Sequence, residues 1–143
     1  QAGALFYTMP DDLRDEQIDP LIRHAVRTIN ASGWVWTAES CQGHPDESEN
    51  MPWGFNVKPM LRLVVRAERL GDMLSLMARS AKDPDDELHT AVFEVISHPL
   101  RDGWFSVLVY AHAHNVFSRN KGIAFFERFA ESLRAAHREE KSL

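Results

Sequence analysis

The run Glu39-Ser40-Cys41-Gln42-Gly43-His44-Pro45 puts the single cysteine of the chain three positions before a histidine, with a glycine between them and a proline behind. A thiol attacks or binds metal as the thiolate, and an imidazole or cation within reach lowers its pKa. Cys41 and His44 are therefore candidate catalytic residues, and Gly43 in the same bend is a candidate ligand contact. Glu39, Asp46 and Glu47 are all near enough to orient the imidazole, and the spacing singles out none of them. The same residues also read as a plain turn around a small buried cysteine.

A second group lies downstream. His112 and His114 are two positions apart, so on a strand both rings project from one face and could chelate a transition metal such as zinc. Joined by Cys41 and His44 they would complete a tetrahedral Cys-His-His-His set, and His112 is a further candidate for acid–base work. The competing reading leaves both histidines half-exposed and bonded to water. Just beyond, Ser118, Arg119, Asn120 and Lys121 surround the expected start of a helix, with Asn120 as its cap. Free N–H groups, the positive end of the helix dipole and two cations suit a phosphate or carboxylate there; ordinary capping with solvated cations also accounts for them.

Positioning these residues requires a scaffold. Asp19-Pro20 predicts a capped helix running to Gly33, with Ile22, Val26 and Ile29 on one face. Residues 34–40 are aromatic and β-prone and deliver Cys41 to a strand end. Residues 42–59 turn polar and Gly/Pro-rich, which predicts a long functional loop or lid pinned by Trp53 and Phe55. A strand at 60–66 precedes a helix at 67–81 whose stripe is Leu70, Met73, Leu74 and Met77. Two strands at 89–98 and 104–114 flank the turn signal Asp102-Gly103, and a helix at 121–137 carries Ile123, Phe126, Ala130 and Leu133. The order αββαββα predicts an α+β two-layer sandwich, a mainly antiparallel four-stranded sheet with three helices on one face.

Pairing His98 with Trp104 across the turn sorts the strand residues. Ala91, Phe93, Val95, Phe105, Val107, Val109 and Ala111, with Leu61, Leu63 and Val65, form the core face. Glu94, Ile96, His98, Trp104, Ser106, Leu108, Tyr110, His112 and His114, with Arg62 and Arg66, form the outer face. That face is suited to solvent, a ligand or a second copy of the chain. Tyr110 is accordingly a candidate ligand contact, and a homodimer closing over Trp104, Leu108 and Tyr110 is the interaction alternative.

At 143 residues the chain has one domain's worth of length, with the first 10 residues expected to be a flexible lead-in. A net charge of −5 argues against bulk nucleic-acid binding, and no apolar run is long enough for a membrane span. One cysteine and no signal-like N-terminus point to the reducing cytoplasm.

Over about 20 residues, "INASGWVW" followed by "TAESCQGHP" resembles the Ser-Cys-x-Gly loop of the tRNA wybutosine-synthesising methyltransferase family. It also resembles the Ser-Cys-x-Gly-His loop of small uncharacterised bacterial and phage proteins. Ser40, Cys41 and Gly43 match the methyltransferases, whereas Glu39 and His44 stand where they tend to have Ser and Arg. "FSRNKGI" is similar to a second family stretch around Arg119, Asn120 and Gly122. The resemblance implies S-adenosylmethionine as cofactor and RNA or a nucleotide as substrate. The reading that emerges is a domain binding a small anionic or nucleotide-like molecule at one sheet end, with a methyltransferase-like or hydrolytic enzyme and a structural zinc protein as alternatives.

Overall fold

The computed structural model describes residues 17–44, 58–85 and 90–142. Most of the expected lid, with Trp53, Phe55, Asp46 and Glu47, lies outside these residues, as do the first 10 residues and His89. Helix α1 (Arg23–Ala31) follows a single 3-10 turn at Pro20–Ile22. Strands β1 (Val35–Cys41) and β2 (Met60–Arg66) come next, then helix α2 (Ala67–Ser80). Strands β3 (Phe93–Pro99) and β4 (Trp104–Ala111) form a hairpin, and helix α3 (Val116–Ser142) closes the chain. The sheet is antiparallel throughout, in the order β1-β2-β4-β3, so β4 inserts between the two strands that α2 connects.

The alternation read from the sequence holds. Leu61, Leu63, Val65, Val107 and Val109 are fully buried against Ile22, Val26 and Ile29 of α1, Met73 and Met77 of α2, and Phe125, Phe126, Phe129 and Leu133 of α3. All three helices therefore cover one face, the α+β sandwich expected. No helix among the described residues is long and apolar enough to cross a membrane.

Two registers differ from strict alternation or from the expected turn. His98 pairs with Ser106 instead of Trp104, because the ladder continues through Pro99↔Phe105 and the turn tightens to three residues. Leu100 N–H donates to Trp104 O at 2.6 Å, and Asp102 and Gly103 both take positive φ, 62° and 76°. A shift of two positions leaves every side chain on its assigned face. In β1 a bulge at Ala38 breaks the alternation, so that Glu39 pairs with Arg62 and their charged groups meet at 3.3 Å. Without it Glu39 would follow Val35 and Thr37 onto the core face.

Trp104 is buried (4% exposed) under Trp36, 5.6 Å between ring centroids, with Arg66 4.5 Å from its ring centroid. It is covered from within the chain, so the expected dimer surface over Trp104, Leu108 and Tyr110 lacks its largest apolar contact.

One surface pair links α1 to α3. His24 Nδ1 of α1 lies 2.7 Å from Glu127 Oε2 of α3, and this hydrogen bond, then the carboxylate's charge, raises the imidazole pKa above 6.5. A raised folded pKa contributes stability that is complete below 6.5 and is lost as pH rises through the folded value. The group is largely exposed, so the effect is small. Thermal melts should therefore show a slight fall from pH 6 to pH 8 that flattens in Glu127→Gln; an unchanged slope would remove this pair as its source.

Candidate functional site

The bend after β1 depends on Gly43, whose φ of 81° lies where a side chain is strained. It brings His44 back toward Cys41 and lets Gly43 N–H donate to Cys41 Sγ at 3.4 Å. Asp19 closes the bend from the other side. Although Asp19-Pro20 reads as a helix cap, its carboxylate makes no cap hydrogen bond. Asp19 Oδ2 instead accepts from Gln42 N–H at 3.0 Å and lies 3.2 Å from His44 Nε2. Gln42 returns the contact by accepting Leu21 N–H on its Oε1 at 2.9 Å. One thiol, one imidazole and one carboxylate thus present Sγ, N and O atoms all within 4.8 Å of one another, each residue half-buried.

Arg119 reaches this bend from α3. It is only 8% exposed, and its Nη1 donates to Gly43 O at 2.7 Å while its Nε donates to Asn120 Oδ1 at 2.9 Å. The guanidinium therefore touches the Cys41–His44 loop directly. Asn120 supports Arg119 and does not cap the helix.

The cap is Asn115. Ser118 N–H donates to Asn115 Oδ1 at 2.9 Å, while the N–H groups of Asn115 and His114 donate to Ser118 Oγ at 3.1 and 2.7 Å, a reciprocal box that starts α3 at Val116. Arg119, Asn120 and Lys121 consequently sit beyond the first turn, and Ser118 is committed to the cap, so the four do not ring a free helix start. Lys121 Nζ turns away to Asp83 Oδ2 at 2.9 Å. The hydrogen bond from Lys121, then that from Asp85 N–H, holds the Asp83 carboxyl below its usual range.

The same cap corrects the histidine pair. β4 ends at Ala111, and the chain leaves the sheet for the Asn115 box before His114. His112 Nε2 lies 2.9 Å from Glu94 Oε1, and His114 is exposed. Among the described residues the ligand group that forms is Asp19-Cys41-His44, which includes neither His112 nor His114, so the expected Cys-His-His-His set is not assembled. Tyr110 is half-buried and level with Met60 and Cys41 across the sheet, which puts it two strand spacings, about 10 Å, from Cys41.

Asp19 is the residue that sequence reasoning missed. Its local context fully accounts for it as a cap, and its partners lie more than 20 positions away, where spacing carries no signal. The bend groups a thiol, an imidazole and a carboxylate, the donor types that transition metals take, and sets the buried Arg119 guanidinium beside them. None of the protein-family models, curated proteins or solved structures compared with the chain matches it.

Proposed function

We propose that this end of the sheet binds a small anionic or nucleotide-like molecule, with Arg119 as the anion contact and Gly43 and His44 forming the wall beside it. The observation that carries the reading is the environment of Arg119. Its guanidinium is buried, its two hydrogen-bond acceptors are neutral oxygens, and no carboxylate among the described residues pairs with it. A buried charge without a counter-charge costs several kcal/mol. A bound anion offsets that cost and gains a charge-assisted hydrogen bond. A reducing compartment such as the cytoplasm suits the site, because Cys41 beside it is the chain's one cysteine and works only as a thiol or thiolate.

The test is a thermal-shift panel of inorganic phosphate, nucleotides and S-adenosylmethionine, the last included for the Ser40-Cys41-x-Gly43 resemblance. A ligand at 100 times its Kd adds about 2.7 kcal/mol, roughly 8–10 °C in Tm for a chain of this size. Arg119→Ala should abolish that shift, and Arg119→Lys, which keeps the charge but loses the planar fork, should retain part of it. Equal shifts in the parent and Arg119→Ala would sink the reading, as would a panel with no shift at all.

A further inference from the structure

We infer that Asp19, Cys41 and His44 form a transition-metal site of the zinc type and supply three of its ligands. This goes beyond the anion site, because it rests on three side chains other than Arg119. The donor set is mixed thiolate, imidazole and carboxylate, which suits zinc or cobalt(II) and not magnesium or calcium.

The separations fit. Zinc–nitrogen and zinc–oxygen bonds of about 2.0–2.2 Å at a tetrahedral angle put the two donor atoms about 3.3 Å apart, and a zinc–sulfur bond of about 2.3 Å puts sulfur about 3.5 Å from either. His44 Nε2 and Asp19 Oδ2 already stand 3.2 Å apart, and all three donor atoms lie within 4.8 Å of one another. Small side-chain rotations would bring them onto one ion.

The surrounding hydrogen bonds favour metal over a thiol nucleophile. Acyl chemistry at Cys41 would need backbone N–H groups free to hold an oxyanion. The two N–H groups that follow Cys41 point elsewhere: Gln42 N–H at Asp19 Oδ2 and Gly43 N–H at Cys41 Sγ. Both donate to candidate metal donors, the arrangement by which outer hydrogen bonds orient ligands and stabilise their anionic forms. Each of the three side chains is half-buried, so the set is neither sealed in the core nor fully solvated. On binding, the Cys41 thiol gives its proton to solvent, His44 binds as neutral imidazole, and the His44–Asp19 hydrogen bond is replaced by two bonds to the ion.

Cobalt(II) titration of the full chain, prepared without a histidine tag, tests the site. One equivalent should produce a thiolate-to-cobalt charge-transfer band and the intense visible bands of four-coordinate cobalt, and zinc should bleach both. Cys41→Ser should lose the charge-transfer band, and His44→Ala and Asp19→Asn should each weaken binding at least roughly 10-fold. Zinc should also slow alkylation of Cys41 by iodoacetamide roughly 10-fold or more, since a coordinated thiolate is a poorer nucleophile. If Asp19→Asn does not fold, the near-isosteric Cys41→Ser and the alkylation rates decide. No charge-transfer band at excess cobalt, a band that survives in Cys41→Ser, or alkylation indifferent to zinc would each overturn the proposal. Cobalt is titrated in phosphate-free buffer and anion shifts are read with a chelator present, so either site can fail without the other.

Discussion

Phe125→Ala should lower the unfolding free energy by about 3–5 kcal/mol, a large part of the 5–15 kcal/mol that holds an ordinary domain together. Phe125 is fully buried in α3, with ring centroids 4.9 Å from Phe93 on edge strand β3 and 5.2 Å from Phe126. Removing it opens a cavity where helix and sheet meet, and neither neighbour can collapse into it without dragging its backbone. Urea denaturation should show a lower midpoint with an unchanged slope, and Tm should drop by roughly 10 °C or more. Phe117→Ala, eight residues earlier in the same helix and 66% exposed, should change stability by no more than about 0.5 kcal/mol. A loss below about 1 kcal/mol for Phe125→Ala would mean that this half of α3 is not packed on the sheet as described.

The contrast between the two phenylalanines marks where sequence patterning reaches. A stripe of Ile123, Phe126, Ala130 and Leu133 is visible at helical spacing, but Phe125 and Phe129 are buried as well, and Ile123 only partly. α3 packs both on the sheet and on α1, so its apolar arc is wider than one stripe. The face assignment of the hairpin was legible even though its register was not, because the pleat repeats every two residues and the turn shortened the loop by an even step. The bulge at Ala38 was not legible, since one extra residue shows only against the partner strand. At the site, Cys41, Gly43, His44 and Arg119 could be singled out from their types. Their grouping could not be read in full, for two reasons of the same kind. Asn115-x-x-Ser118 is a capping box, but the β-prone run before it extended the strand reading to His114 and shifted the expected cap to Asn120. Asp19 obeys a local rule on paper and a long-range partnership in the fold, where two N–H or imidazole donors outcompete the helix terminus.

Gly122→Ala tests how tightly the start of α3 must sit for the site to exist. By helix propensity alone the change should stabilise by up to about 1 kcal/mol, because glycine is a poor residue for a helix interior. The new Cβ, however, would stand 2.8 Å from Ala111 Cβ and 3.1 Å from Pro59 Cγ. Neither neighbour is the end of a flexible chain. Ala111 Cβ is fixed to β4, whose N–H at that residue donates to Pro59 O at 3.0 Å, and the Pro59 ring is rigid. Overpacking of this kind costs about 1–3 kcal/mol, which cancels or outweighs the propensity gain, so the net change is a loss of up to about 2 kcal/mol. The helix relieves it by backing off the sheet, and Arg119, three residues earlier, is carried with it away from Gly43 O, 2.7 Å from its Nη1. The anion-induced thermal shift should therefore shrink in Gly122→Ala although no contact residue has been altered. Trimming the other side, Ala111→Gly with Gly122→Ala, should recover the shift and show a favourable coupling of about 1 kcal/mol in a double-mutant cycle. A Gly122→Ala protein that melts higher than the parent, with its anion shift intact, would show that the α3 start has room to spare and that Arg119 reaches the bend without being held there by this contact.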